Sequence, residues 1–295
     1  MPRRRRWEEL GIVNGFGEVR LLSWRYFFDF IHQRMLDFET YIWRGQRCDN
    51  WLLESTLDRL VKKARVARSK GSSFRSSHLQ QFKYAVRGRR GPNPPQINSE
   101  NDWWALGQHN GLATPLLDWT TSPFVAAYFA FINIGEKKTK TRAVYALHKP
   151  SIEAKVAEIN LRQLEEKTKR QLKEKEEIDS GKKKANLLSR ALLEMDIPIR
   201  NEVEFIKPMS DENQRLVNQG GLFTRSPDDI DLESWVKQNF IGEKDYTLMK
   251  ILIPNRDREE CLKTLNRMNI NHLSLFPDLY GASKFCNLFG EIEKY

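Results

Sequence analysis

Apolar residues recur every three or four positions through residues 20–38, which is the period of an amphipathic helix. The apolar positions of this stretch are Leu21, Trp24, Phe28, Ile31, Met35 and Phe38. Immediately afterwards, YIWRG at 41–45 is short, aromatic and β-branched, and it ends at a glycine, as strands often do. The sequence therefore predicts a helix that leads into a strand, with Arg44 near the end of that strand.

The stretch that follows alternates between predicted helices and loops. One helical stripe consists of Phe74, Leu79, Phe82 and Val86. The Gly- and Pro-rich RGRRGPNPPQ at 87–96 predicts a loop, and TPLLDWTTSP at 114–123 predicts a turn-rich segment. FVAAYFAFI then predicts a helix, with Ser122 as its N-cap and Pro123 in its first turn.

The second half of the chain mixes further strands and helices. Predicted strands are AVYALHK at 143–149, EVEFIKP at 202–208 and YTLMKILIP at 246–254, a helix is predicted at 256–268, and LSLFPDLYG at 273–281 is expected to return to the sheet. Residues 151–192 are rich in Glu, Lys, Arg, Ala and Leu with a break at 179–181, which indicates a charged helical hairpin. Because helices do not alternate regularly with long apolar strands, we expect an α+β fold with a mixed, largely antiparallel sheet flanked by helices.

Composition and cysteine spacing narrow the class of protein. Hydrophobic residues make up 40% of the chain, which excludes a disordered chain, while frequent charges exclude a membrane span. The basic start MPRRRRWEEL is followed by no apolar stretch of the kind that a secretory signal needs, so we expect a cytoplasmic protein. The three cysteines lack CxxC spacing, so we expect free thiols and no metal.

The positive charge is concentrated in one part of the chain. The net charge is +10, yet residues 59–99 contain eleven Lys and Arg residues and no Asp or Glu, so the remainder is close to neutral. We call residues 59–99 the basic segment. Such a segment suits nucleic acid or another anionic partner. The residues predicted to contact nucleic acid are Arg65, Arg68, Arg75, Arg87, Arg89 and Arg90.

Two blocks of the sequence resemble the FRG domain family. The first is WRGQ at 43–46, with Trp where the family name implies Phe, and the second is GQHNGLATPLLDWTTSPFVAAYFA at 107–130. Later segments at 213–224 and 275–281 also resemble the family. The resemblance implies a single FRG-type domain over 1–295. It is divided into a basic N-terminal arm at 1–19, an FRG core at 20–150, a helical insert at 151–196 and a C-terminal part of the core at 197–295.

A looser resemblance concerns chemistry. An Arg on a first strand, a Thr/Ser cluster before a helix and a Glu on a later strand are similar to the plan of ADP-ribosyltransferases. The resemblance implies catalytic roles for Arg44, Ser122, Glu202 and Glu204, with Glu204 preferred as the carboxylate at the reacting ribose of NAD. NAD would be the substrate. The residues expected to bind it are Arg44, Gly45, Gln46, Gln108, His109, Trp119, Thr120 and Thr121.

The expected function is therefore NAD-dependent ADP-ribosyl transfer or NAD hydrolysis by a toxin or antiphage effector, with an antitoxin or defence-system partner. The alternative is a non-catalytic nucleic-acid-binding regulator. Each residue also has a structural interpretation. Arg44 is equally suited to pairing with Asp118, which lies between two apolar residues and is expected to be buried. Ser122 suits a helix cap, and both glutamates suit an exposed strand face.

Overall fold

A computed structural model describes residues 5–35, 38–134, 139–179, 202–207 and 217–295. The chain divides into two compact units. The first comprises Met1–Lys149 and Val203–Tyr295, and the second is Pro150–Glu202.

One sheet organises the first unit. Its strands are β1 (Trp7–Val13), β2 (Phe16–Leu21), β3 (Tyr41–Gln46), β4 (Leu116–Thr120), β5 (Thr141–His148), β6 (Glu204–Ile206), β7 (Gly221–Arg225) and β8 (Leu248–Pro254). The helices of the chain are α1 (Tyr26–Arg34), α2 (Thr56–Lys63), α3 (Gly71–Ala85), α4 (Glu100–His109), α5 (Pro123–Phe131), α6 (Lys149–Asp179), α7 (Leu232–Asn239), α8 (Arg258–Arg267), α9 (His272–Leu275) and α10 (Leu279–Glu291). Short 3₁₀ turns occupy Phe38–Thr40, Arg68–Lys70 and Asn255–Asp257.

The strand order in the sheet is β1-β2-β8-β5-β3-β4-β7-β6. Only β2 and β8 run parallel; the other neighbouring strands described are antiparallel. The predicted α+β class with a mixed, largely antiparallel sheet is therefore confirmed. β3 pairs with β5 along its whole length and β4 with β7 along its whole length, whereas β3 and β4 align only at Trp43 and Thr120.

Helices cover both faces of this sheet. On one face α1, α5, α8, α9 and α10 pack on the central strands in a core that includes Phe27, Trp43 and Leu262. On the other face α2, α3 and α4 pack over β4, β6 and β7 around Trp104 and Phe223. Burial of these large apolar surfaces is the main stabilising contribution to the unit.

Several predicted elements are confirmed. The stripe beginning at Phe74 lies on α3, and the strand with Arg44 is β3. Helix α5 begins at Pro123, and the hydroxyl of its N-cap Ser122 accepts a hydrogen bond from the backbone N–H of Val125 at 3.3 Å. The three cysteines are free thiols.

Other predictions were wrong. The described part of the predicted N-terminal arm forms the hairpin of β1 and β2, so the helix predicted from residue 20 starts only at Tyr26. LLDWT, predicted as part of a turn-rich segment, is strand β4, which pairs with β7 along its whole length. The segment at 273–281 forms α9 and the start of α10, where Asn271 and Asp278 act as N-caps, and it adds no strand.

The second unit is described mainly by α6. This helix spans 31 residues and carries ion pairs from Glu158 to Lys155 and Arg162 along its surface. The first arm of the predicted hairpin is therefore present. Residues 180–201, on which its second arm falls, lie outside the described residues.

Candidate functional site

The candidate site lies where the sheet opens between β3 and β4. Beyond the single aligned pair, Trp43 and Thr120, the two strands have no aligned residues. A pocket of about 330 Å³ occupies this position and is lined by Trp43, Arg44, Gly45, Asp118, Trp119, Thr120, Phe129, Gln219 and Phe276. Its volume falls at the lower end of the range for small-molecule sites. We call it the β3–β4 pocket. Arg44 and Trp119, which the sequence analysis named among the residues expected to bind NAD, line the same pocket.

Arg44 bridges the gap between the two strands. Its Nη1 donates a hydrogen bond of 2.6 Å to the main-chain carbonyl oxygen of Asp118 and lies 3.5 Å from a carboxylate oxygen of the same residue. Burial lowers the pKa of the Arg44 guanidinium; Asp118 acts against this effect and the cation of Arg59 adds to it. Because arginine starts from so high a pKa, the group remains a cation at neutral pH. Its side chain is 18% exposed, so a ligand in the pocket can reach it.

Asp118 is more exposed than the sequence predicted. Leu117 and Trp119 flank it in the sequence, but in a strand they point to the opposite face, so they do not bury it. The Asp118 side chain is 60% exposed, and the amide nitrogen of Gln108 donates to its carboxylate at 2.9 Å. The predicted counter-group, Arg44, is confirmed. Among the described lining residues, Asp118 contributes the only carboxylate.

Gly45 allows helix α5 to lie directly on β3. A Cβ at this position would fall 1.9 Å from the carbonyl oxygen of Ala126 and 2.5 Å from the backbone nitrogen of Ala130. No side chain fits there without moving the helix. The glycine after Arg44 therefore sets how closely α5, which carries Phe129, approaches the strand.

Thr120 and its neighbours have structural contacts at the pocket edge. The Thr120 hydroxyl donates to the backbone oxygen of Gln219 at 2.6 Å and accepts from the backbone N–H of Ser122 at 3.1 Å. Thr121 is exposed, and its backbone N–H binds the carbonyl oxygen of Gly220. Thr120 lines the pocket, whereas Thr121 and Ser122 do not. The hydrogen bond from the backbone N–H of Val125 to the Ser122 hydroxyl therefore supports the interpretation of Ser122 as a helix cap.

The predicted glutamates do not join this site within the described residues. Glu204 begins β6, which is separated from β3 by β4 and β7, and three strand spacings amount to roughly 14 Å. Its carboxylate is exposed and accepts a hydrogen bond from the amide of Asn101 at 3.1 Å. Glu202 belongs to the second unit, where Gln163 donates to it at 3.4 Å. An Arg44–Ser122–Glu204 constellation in one cleft, as the sequence predicted, is not assembled.

The remaining predicted NAD-binding residues, Gln46, Gln108 and His109, do not line the pocket. Gln46 is buried and donates to the carbonyl oxygen of Leu52. Gln108 contacts the pocket indirectly through Asp118, and Thr114 donates to its amide oxygen. His109 ends helix α4. Of these three, Gln108 is the residue that orients a pocket side chain, the carboxylate of Asp118.

Five pocket residues were not among the predicted site residues: Trp43, Asp118, Phe129, Gln219 and Phe276. Phe129 lies on the second family-like block, where it was given no role. Gln219 and Phe276 lie in the later segments at 213–224 and 275–281, which had been noted as family-like without a role. The sequence feature that could have pointed to Gln219 is its position as a polar residue directly before the Gly-Gly pair at 220–221, where a loop is expected.

The basic segment divides into buried and exposed cations. Arg75 was predicted to bind nucleic acid, but this is wrong: it is buried, with Nη2 at 2.7 Å from Asp58 and 2.8 Å from Asp229. Helix α3 turns this residue inward, and the two carboxylates compensate its buried charge. Arg90 is partly buried, donating to the carbonyl oxygen of Pro95 at 2.6 Å, with its guanidinium 5.5 Å from the centre of the Trp103 ring.

Two exposed cations of the basic segment contact Glu54: Lys62 pairs with its carboxylate, and Arg59 donates to its carbonyl oxygen. The other exposed cations share one property. They are Lys63, Arg65, Arg68, Lys70, Arg87 and Arg89. In the part of the chain that the structure describes, no carboxylate lies within ion-pair distance of any of them. Arg87 lies 4.6 Å from the centre of the exposed Tyr84 ring. Four of the six predicted nucleic-acid contacts, Arg65, Arg68, Arg87 and Arg89, are therefore available to a partner.

Comparison with known families then identifies part of the chain. Residues 39–139 match the model of the FRG domain. The chain contains an FRG domain. No curated protein sequence and no solved structure matches the chain. Seven of the nine residues lining the β3–β4 pocket lie within the FRG domain, and the other two, Gln219 and Phe276, follow it in the sequence.

The described part of the chain contains no group of three or more His, Cys, Asp or Glu residues placed to hold a metal ion. None of the helices described there is both long and apolar enough to cross a bilayer.

Proposed function

We propose that the FRG domain binds NAD in the β3–β4 pocket and acts on the bond between nicotinamide and ribose. The observation that carries the proposal is the Arg44 guanidinium, a cation held at the opening between two strands and still partly exposed. A planar guanidinium fork matches the paired oxygens of a phosphate or pyrophosphate. The rings of Phe129 and Phe276 supply apolar surface for the nicotinamide or the ribose.

In this proposal Asp118 is the carboxylate at the reacting ribose, the role that the sequence analysis had assigned to Glu204. When the bond from ribose C1′ to the nicotinamide nitrogen breaks, its electron pair leaves with nicotinamide and positive charge develops on the ribose. A carboxylate beside that ring stabilises the charge. Water or an acceptor hydroxyl then forms the new bond to C1′ and releases its proton to solvent. Gln108 orients the Asp118 carboxylate through the hydrogen bond of 2.9 Å.

The test combines calorimetric titration of NAD with measurement of nicotinamide release. Arg44→Ala should weaken NAD binding, because the phosphate contact exists before and during reaction. Asp118→Asn should bind NAD but lower turnover by about 10² to 10³, as removal of one preorganised electrostatic group does. Glu204→Gln is the matched control. It removes a carboxylate charge three strands away and should leave both quantities unchanged.

Each outcome separates binding from chemistry. If the wild-type protein does not bind NAD, the proposal is wrong. NAD binding that depends on Arg44, without nicotinamide release in the presence of candidate acceptors, would reduce the function to nucleotide recognition. If Glu204→Gln loses turnover while Asp118→Asn keeps the turnover of the wild type, then Glu204 is the catalytic carboxylate. Consumption of NAD in a cell is the activity by which a toxin or antiphage effector would act.

A second candidate function, nucleic-acid binding, is favoured by the exposed cations of the basic segment. Six exposed cations without a described carboxylate partner attract phosphates, and Tyr84 beside Arg87 offers a ring on which a base stacks. With six to ten phosphate contacts, affinity falls by roughly 10³ to 10⁵ between 50 and 200 mM salt.

The measurement for this candidate is fluorescence anisotropy with labelled single-stranded RNA and duplex DNA across that salt range. The double variant Arg87→Ala/Arg89→Ala should weaken binding and reduce the salt slope. The double variant Arg20→Ala/Arg267→Ala removes the same charge from exposed positions outside the basic segment and should have little effect. Binding that is independent of salt, or equal effects of the two double variants, would contradict the proposal.

A further inference from the structure

A second cavity adjoins the β3–β4 pocket on the side of helix α10. It measures about 490 Å³, and its lining includes Arg47, Asn133, His272, Tyr280, Lys284 and Asn287. Phe129 and Phe276 line both cavities, with their ring centres 6.1 Å apart. The two spaces are therefore neighbours across a shared aromatic wall. We call the second space the α10 cavity.

We propose that the α10 cavity is the subsite for the second nucleoside monophosphate of a dinucleotide whose first half occupies the β3–β4 pocket. This inference rests on the proposed function. It assigns the nicotinamide half to the smaller pocket beside Arg44 and the adenosine half to the larger cavity beside Arg47 and Lys284. The ligand class is thus a dinucleotide rather than a mononucleotide.

Charge is the first argument for this assignment. Arg47 and Lys284 are exposed, and neither has a carboxylate within ion-pair distance among the described residues. Glu291 also lines the cavity, but its carboxylate is paired with Arg258 at 2.7 Å. The uncompensated charge of the α10 cavity is therefore positive, which favours a phosphate.

The spacing of cations along β3 is the second argument. Arg44 lines the β3–β4 pocket, and Arg47, just past the end of the same strand, lines the α10 cavity. Each cavity therefore has one guanidinium group in its lining. A pyrophosphate between two nucleosides carries two negative charges, one on each half of the molecule, so each half would meet a cation in its own cavity.

The aromatic and amide groups of the α10 cavity are the third argument. The His272 ring stacks on Phe276 with centres 5.0 Å apart, and Tyr280 meets Phe276 edge-on at 6.0 Å. Burial, and then the nearby cation of Lys284, lowers the pKa of His272 to about 4, so its ring is neutral at physiological pH. Neutral rings with the amides of Asn133 and Asn287 suit a nucleobase, which needs a stacking surface and hydrogen-bonding groups for its edge.

The experiment is calorimetric titration of the full chain with three probes: NAD, nicotinamide mononucleotide and AMP. Arg47→Ala/Lys284→Ala should weaken NAD and AMP binding by about tenfold or more, and it should leave nicotinamide mononucleotide unaffected. Arg44→Ala should weaken NAD and nicotinamide mononucleotide. Lys244→Ala, an exposed lysine of the loop before β8, is the control and should bind all three probes like the wild type.

The outcomes distinguish this inference from the function on which it rests. If Arg44→Ala weakens NAD binding while Arg47→Ala/Lys284→Ala does not, the second subsite is refuted and the proposed function stands. If AMP binds in a manner that depends on Lys284, but neither NAD nor nicotinamide mononucleotide responds to Arg44→Ala, the phosphate subsite stands and the proposed function fails. Absence of binding for all three probes overturns both.

Discussion

Arg44 donates a hydrogen bond of 2.6 Å to the main-chain carbonyl oxygen of Asp118, a residue 74 positions further along the chain. In a continuous sheet, main-chain N–H groups of the neighbouring strand bind such carbonyl groups. Here a side chain does so, at the point where β3 and β4 cease to align. The same arginine therefore holds two parts of the sheet together and presents a cation to the pocket between them.

This double role predicts a stability cost for Arg44→Ala that is separate from any effect on ligand binding. The variant leaves a strand carbonyl without its donor, and we expect the free energy of unfolding to fall by about 1–3 kcal/mol. Arg44→Lys keeps the charge but not the planar fork, so its loss should be intermediate. Urea unfolding measures both. Arg47→Ala, in the exposed position beyond the strand, should stay within about 0.5 kcal/mol of the wild type; an equal loss there would disprove a specific role for the Arg44 contact.

The close approach of α5 to Gly45 predicts that Gly45→Ala is strongly destabilising. Its Cβ would lie 1.9 Å from the carbonyl oxygen of Ala126, and a helix backbone is unable to yield as a flexible side chain does. Overpacking of this kind costs about 1–3 kcal/mol, and we expect the upper end. Gly290→Ala is the matched control. Its Cβ would meet no atom within 4 Å, and it lies inside helix α10, so alanine should be neutral or stabilise by up to about 1 kcal/mol. Thermal unfolding of both variants decides the matter.

The buried position of Arg75 predicts that it matters for folding and not for nucleic acid. Arg75→Ala leaves the carboxylates of Asp58 and Asp229 without their cation, and we expect the free energy of unfolding to fall by about 3 kcal/mol. Asp228→Asn, at 3.6 Å and on the exposed side of the cluster, should cost less than about 1 kcal/mol. Nucleic-acid affinity of folded Arg75→Ala should equal that of the wild type. A large loss of affinity with unchanged stability would place Arg75 on the binding surface after all.

His272 predicts a dependence of stability on pH. Burial, and then the cation of Lys284, lowers its pKa from 6.5 to about 4, so between these pH values the unfolded chain binds more protons than the folded one. The stability contributed by neutral His272 is complete above pH 6.5 and is lost as pH falls toward 4, to a total of at most about 3 kcal/mol. His272→Gln removes the titrating group and should flatten the profile over this range. Urea unfolding at a series of pH values compares the two proteins, and parallel profiles would contradict the prediction.

Much of the fold was predictable because local patterns decide it. The aromatic and β-branched run with Arg44 is a strand, and the Ser122–Pro123 pair begins a helix, since strand propensity and helix capping act over a few residues. The predictions failed where short segments depend on their neighbours. LLDWT reads as turn-rich by composition but is a strand because β7 pairs with it along its length. Strands β1 and β2 form a hairpin that joins the sheet because β2 pairs with β8, a strand far along the chain.

For the candidate site, the sequence by itself determined which residue types are available: an arginine and a glycine on a strand, a polar and aromatic segment before α5, and a run of cations. Only the tertiary structure decided which of them meet. It joined Arg44 to Asp118 and Phe276, placed Glu204 three strands away, and turned Arg75 into the core while its neighbours stayed exposed. Local sequence specifies strand and helix, but strand order and helix packing arise from contacts between distant residues, and those contacts determine which side chains share a pocket.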